Sequence, residues 1–142
     1  MADKLSKKQR SYCMSRVKNK NTDLESLVRF ELRRKNLKFK TNYKNIPGSP
    51  DIAFPSRKTA VFIDGDFWHG YRFPEWASKL SPFWREKISL NRKRDAKNFR
   101  KIRKMGWISI RLWQHDLEND FTKSFNRILQ VVRPGFKHRK IS

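Results

Sequence analysis

The alternation of apolar and polar positions divides the chain into seven elements. Leu24, Leu27, Val28 and Leu32 recur at helical spacing and form one apolar stripe. That helix is opened by Thr22-Asp23-Leu24-Glu25, a capping-box pattern in which the Glu25 carboxylate reaches back to the cap, and it should end near Asn36. Residues 37–43 alternate with period two, as a half-buried strand does. Two prolines make Ile46-Pro47-Gly48-Ser49-Pro50 a tight connection. Residues 51–54 read as a short strand and 55–58 as a hairpin turn. The partner strand, 59–64, carries the apolar run Ala60-Val61-Phe62-Ile63 and opens into a loop bounded by Gly65 and Gly70.

Residues 71–80 are only semi-regular. Ser81-Pro82 then starts a long helix, with proline at the first helical position and Gly106 as its stop. Trp84, Ile88, Phe99 and Ile102 form its apolar side. Residues 107–113 alternate as a further strand. Phe121, Phe125, Ile128, Leu129 and Val132 mark a last helix, closed by Pro134-Gly135. The order α–β–β–β–α–β–α predicts a small α/β domain, a mixed sheet of about four strands with helices on both faces.

Composition changes this picture in one respect. The 142 residues carry 35 Lys+Arg against 13 Asp+Glu, a formal net charge of +22. A field of one sign on that scale favours a polyanion, and nucleic acid leads. The long helix concentrates it: ten Lys/Arg against Glu86 and Asp95. Like charges at i,i+4 weaken a helix unless phosphates neutralise them. Residues 1–21 read as a basic arm that orders on DNA, 22–134 as the folded domain and 135–142 as a basic tail. No transmembrane run or signal-peptide pattern is present, and no membrane partner is expected. A single cysteine, Cys13, excludes an internal disulfide and fits a reducing cytoplasm.

The candidate chemistry gathers at the end of the apolar strand. In an antiparallel pair, the start of the first strand lies beside the end of the second. Asp51, Asp64 and the Ile63 carbonyl should therefore converge, and hard oxygen ligands of this kind suit Mg²⁺. A metal there can polarise a phosphoryl oxygen and activate water. His69 suits a general base near neutral pH. Glu25 could hold a water if its helix packs on this edge. Each residue also has a plain structural explanation: turn formers at Asp51, Asp64 and Asp66, a cap at Glu25, packing at His69. It is their convergence in a strongly basic domain that favours chemistry.

These residues resemble the very-short-patch mismatch repair endonucleases, a family with the restriction-endonuclease-like fold. The likeness is carried by Pro47-Gly48-Ser49-Pro50-Asp51, by Val61 to His69, by Phe83-Trp84 through Lys87-Ile88 and Asn91 to Arg94-Asp95, and by Gly106-Trp107 to Trp113. It spans about residues 10–118. The resemblance implies nicking of one DNA strand 5′ to the thymine of a T·G mismatch, with Mg²⁺. It makes Asp51 the central metal ligand, the Ile63 carbonyl a second and His69 the base, with Glu25 behind the metal. It makes Phe67 and Trp68 a wedge beside the mismatch, joined by Met14 from the arm in the opposite groove. Lys87 and Asn91, four apart on one helical face, match the mismatch readers. Arg85, Arg92, Lys93, Arg94 and Lys97 are then expected on the DNA backbone.

The resemblance implies a monomer acting on mismatched double-stranded DNA in a bacterial cytoplasm, close to the nucleoid. Mismatch-repair factors and a cytosine-5 methyltransferase are the family's usual partners. Two departures stand out. Some members brace the wedge loop with a structural zinc held by Cys and His. Here the corresponding positions offer Asp66, Tyr71, Phe73 and His115, so no zinc is expected. The family can also carry histidine where this chain has Asp64, a carboxylate able to bind metal directly. Two other readings remain: a restriction-type endonuclease cutting paired duplex, and a non-catalytic basic nucleic-acid-binding module.

Overall fold

The computed structural model describes residues 22–133. The arm with Met14 and the tail from 134 onward lie outside the described residues. The first helix, α1 (residues 22–34), buries Val28 and Leu32 completely, with Leu24 packed at the margin of the same core. Leu27 instead stays 44% exposed. The buried stripe is the narrow i, i+4, i+8 row, and Leu27 lies about 100° round the helix from its centre. Asn36 takes a left-handed conformation (φ 61°), and the Leu37 N–H reaches back to the Leu32 carbonyl at 3.1 Å, which stops the helix.

The first strand is shorter than its alternation suggests: β1 is Lys40–Thr41 alone. Asn42, at φ 45°, breaks the pleat, although the Asn42 and Tyr43 N–H groups still donate to the carbonyls of Asp51 and Pro50. β2 (Ile52–Phe54) pairs antiparallel with β1 and with β3 (Thr59–Asp64). A 3-10 turn over Pro55–Arg57 and left-handed Lys58 join β2 to β3. All six residues of β3 are buried, as befits a strand covered on both faces.

After the loop come α2 (Phe73–Trp76), a 3-10 turn (Ala77–Lys79) and the long helix α3 (Pro82–Lys104). β4 (Ile108–Trp113) then lies parallel to β3, so α3 is the crossover of a βαβ unit. The expected last helix is α5 (Phe121–Val132), and a short helix that the apolar pattern did not announce, α4 (Gln114–Asn119), precedes it. Asp120 separates them and caps α5, accepting from the Lys123 N–H at 3.1 Å. The sheet order is β1-β2-β3-β4.

Period two assigns the faces. Ile52, Phe54, Val61, Ile63, Ile110 and Leu112 meet α1, α4 and α5 in the larger core. Ala60 and Phe62 meet Ile102 and Phe99 of α3 in the smaller one. The result is the mixed α/β architecture with helices on both faces, consistent with a small restriction-endonuclease-like fold. Among the described residues no helix is long and apolar enough to cross a membrane.

Leu112 is completely buried in the larger core, while Ile108 on the same strand is 49% exposed. Leu112→Ala should cost about 2–5 kcal/mol of stability in urea unfolding. Ile108→Thr should stay within about 0.5 kcal/mol.

Candidate active site

The register that builds the sheet also builds the site. Asp51 lies just before β2 and Asp64 ends β3, and antiparallel pairing brings these positions to one end of the sheet. Parity places Asp64 with Ala60 and Phe62, and Arg111 with Ser109, so the charged side chains share the α3 face. The Ile63 N–H donates to Asp51 Oδ2 at 2.7 Å. A strand residue's N–H and C=O point to the same edge, so the Ile63 carbonyl is directed to the Asp51 side. Glu25, Asp51, Ile63, Asp64 and His69 line one cavity of about 450 Å³, together with Gly48, Ser49, Phe62, Arg94, Asp95 and Asn98.

The carboxylates in this cavity are held in a poor place to ionise. Burial, and then the charge of Glu25, push Asp51 up to about 7 despite the Ile63 hydrogen bond. Burial raises Asp64 as well, against the opposing pull of His69 and Arg111. It also raises Glu25, whose partial counterion is Arg29 at 3.5 Å. Three acids sharing a cleft and each disfavouring its own charge are suited to a divalent cation, which would favour ionisation of all three. Asp51 and the Ile63 carbonyl offer it hard oxygens.

His69 has a carboxylate beside each ring nitrogen. Nδ1 lies 2.6 Å from Asp95 Oδ2, and Nε2 lies 3.4 Å from Asp64 Oδ1. Burial opposes Asp95's charge, but the His69 hydrogen bond and the charges of His69, Arg111 and Arg94 outweigh it, and its pKa falls. An ionised Asp95 can only accept, so Nδ1 is the donor and Nε2 is the nitrogen able to take a proton. Arg111 completes the arrangement: its Nε donates to Asp64 Oδ2 at 2.6 Å and its Nη2 to Asp95 Oδ2 at 3.1 Å. Among the described residues, Asp64, His69 and Asp95 are also a grouping whose ligand atoms all lie within 4.8 Å of one another.

The loop after β3 is clamped along one row of α3. Trp84 makes edge contacts with Phe67 and Trp68, each 5.7 Å between ring centroids. Gly70, at φ 67°, lies so close to α3 that an added Cβ would come within 2.6 Å of Arg92 and 2.9 Å of Ile88. The Asn91 amide donates to the Trp68 carbonyl at 2.9 Å, and Asp95 takes His69. Asn91 therefore spends one amide hydrogen on the loop and keeps the other. Lys87, Arg92, Lys93, Arg94 and Lys97 are exposed on α3, Arg85 partly so, and Arg94 pairs with Asp95 at 3.3 Å.

The other side of the loop is tied to the exit of β4. His115 Nδ1 lies 2.9 Å from Asp66 Oδ1, and the Gln114 side chain accepts from the Asp66 N–H at 3.2 Å. The Tyr71 ring packs on His115 at 4.2 Å and on Trp113 at 5.0 Å, while Trp76 stacks on Phe67 and donates to the Tyr71 carbonyl.

Sequence reasoning missed Asp95, Arg111 and Trp84 as members of this site. Asp95 carried a signal: it is one of two acids in a basic helix and lies four residues beyond Asn91. Arg111 carried a weaker one, a cation at the inward parity of a strand packed against α3.

Fold and cavity together define an α/β hydrolytic enzyme whose basic surface suits nucleic acid. The family model for the DNA mismatch endonuclease Vsr matches residues 2–75. The type II nicking enzyme V.XorIIP of Xanthomonas oryzae pv. oryzae is 37% identical over 137 residues, covering 95% of this chain and 100% of that protein. The type II nicking enzyme V.HpaIIP of Haemophilus parainfluenzae is 37% identical over 122 residues, 81% of this chain and 84% of its own length. The DNA mismatch endonuclease Vsr of Escherichia coli is 30% identical over 117 residues, 80% and 74% of the two chains. The chain belongs to the Vsr family of DNA mismatch endonucleases. It is a DNA-cleaving enzyme, in a nuclease family that works with a divalent metal.

The raised Asp51 pKa sets a pH dependence. Between the ordinary aspartate value of 3.8 and the folded value of about 7, the folded state holds a proton that the unfolded state has lost. Raising the pH through this window removes stability. Without divalent metal, the melting temperature should fall relative to that of Asp51→Asn as pH rises from about 5 to about 8. Added Mg²⁺ should raise it more at the upper end, and only in the unsubstituted protein.

Proposed function

We propose that this chain is a Mg²⁺-dependent endonuclease that nicks one strand of duplex DNA on the 5′ side of the thymine in a T·G mismatch. The observation that carries the reading is the adjacency of Trp68 and His69. The candidate wedge and the candidate base are neighbours on one loop, fixed to one row of α3.

Asp51, the Ile63 carbonyl and Asp64 would hold the metal, with Arg111 on Asp64 Oδ2. When bound there, the ion would supply Lewis-acid stabilisation of the phosphoryl oxygens and a more acidic water. His69, with Nδ1 committed to Asp95, receives the attacking water's proton at Nε2. Glu25 holds water on the α1 side of the cavity. Phe67 and Trp68 enter the stack beside the mismatch, which is cheapest where pairing is already weak. Met14 of the arm enters the opposite groove. Lys87 and the second amide hydrogen of Asn91 donate to guanine O6 and thymine O4, both major-groove acceptors. Arg85, Arg92, Lys93, Arg94 and Lys97 follow the backbone. The Asp66–His115 pair and the rings of Tyr71, Phe73 and Trp76 brace the loop without zinc. The enzyme acts as a monomer in a bacterial cytoplasm, since one site cuts one strand.

A duplex labelled on both strands tests this directly. A T·G duplex should be nicked on the thymine strand alone, and its T·A counterpart left intact. Equal double-strand cutting of paired DNA would favour a restriction-type enzyme instead. Asp51→Ala should abolish nicking, and His69→Ala should slow it by about 10²–10⁴-fold, with mismatch binding retained in both. A full zinc equivalent in the purified protein would contradict the bracing assigned to Asp66 and His115.

A further inference from the structure

Among the described residues, Arg111 is the one Lys or Arg that touches both carboxylates flanking His69. Its Nε reaches Asp64 Oδ2 and its Nη2 reaches Asp95 Oδ2, the same oxygen that accepts from His69 Nδ1. The guanidinium is itself fixed. It lies 4.2 Å over the Trp113 ring and 4.8 Å from the Phe99 ring centroid, and the Arg111 carbonyl accepts from Arg127 at 2.9 Å. A planar fork seated on aromatic rings keeps two donors in a set relation.

We propose that Arg111 is a positioning residue for DNA cleavage: its fork ties Asp64 on β3 to Asp95 on α3, and Asp95, so fixed, orients the His69 imidazole through Nδ1 and leaves Nε2 open beside Asp64. The inference rests on the reading of His69 as the base. The chain of contacts runs from the sheet to the helix through a single guanidinium. The imidazole sits on a loop, and loops hold catalytic geometry less well than sheets or helices do. Arg111 supplies the missing rigidity. It also accounts for the tolerance of a buried Asp64, because its counterion comes from the neighbouring parallel strand, two residues before Trp113, the register partner of Asp64.

A simple counterion and a positioning clamp differ in what lysine can replace. Lysine keeps the charge, and so keeps Asp64 compensated, but a single ammonium does not reproduce two donors at fixed spacing. The experiment measures single-turnover nicking of a T·G duplex and, without divalent metal, binding of the same duplex. It compares the full-length protein with Arg111→Lys, Arg111→Met and His69→Ala. Rates are normalised to the fraction able to bind the duplex.

The clamp predicts that Arg111→Lys loses roughly 10–10²-fold in rate, since small misplacements of a reacting group cost this much. Its duplex affinity should stay within about threefold and its melting temperature near that of the parent. Arg111→Met should be slower still. Parent-like nicking by Arg111→Lys, with His69→Ala slowed by about 10²–10⁴-fold, would overturn the clamp and leave the base assignment standing. Parent-like nicking by His69→Ala would overturn the base assignment itself. An Arg111→Lys protein with no duplex-binding fraction would make Arg111 a folding residue, and would also overturn the clamp.

Discussion

The structure depends on keeping several carboxylates together where none ionises easily. Antiparallel pairing of β2 with β3 brings Asp51 beside the end of the longest fully buried strand, where it accepts from the Ile63 N–H. α1 adds Glu25 from one side, and β3 ends in Asp64 on the other. Burial raises all three. The surroundings offset part of this with Arg29, Arg111 and His69, and the remainder suits a divalent cation. In a protein of net charge +22, this acidic cleft is a local exception. The basic surface gathers DNA, and the cleft is the place where a metal can meet its phosphate.

The second constraint is the row on α3 from Trp84 through Ile88 and Asn91 to Asp95. It holds the loop after β3 by a ring contact, a glycine close approach, a backbone hydrogen bond and the His69 pair. Such a loop cannot move its aromatics without moving its histidine. In the proposed function, this joins recognition to cleavage: rings fitted into a weak step and an imidazole set over the phosphate are parts of one rigid segment.

Much of this was legible in the sequence because it rests on short-range chemistry. The apolar run of β3, the proline start and glycine stop of α3, and the hairpin that brings Asp51 to Asp64 all follow from local pattern. What was hidden depends on contacts distant in sequence. Asp95 meets His69 across 26 residues, and Arg111 meets Asp64 across 47. Neither spacing has a period to read. Local strain also cut one element short, Asn42 ending β1 early, and the short helix Gln114–Asn119 had no apolar period to announce it. The exposed Leu27 shows a helix burying a narrower stripe than its apolar residues suggest.

The central claim is that the cleft at Asp51 is a divalent-metal site. Calorimetric titration of Mg²⁺ into the full-length protein, beside Asp51→Asn, tests it most directly. The account predicts binding to the parent that strengthens as pH rises past about 7, where Asp51 sheds its proton, and loss of that binding in Asp51→Asn. Equal Mg²⁺ binding by the two proteins would contradict it.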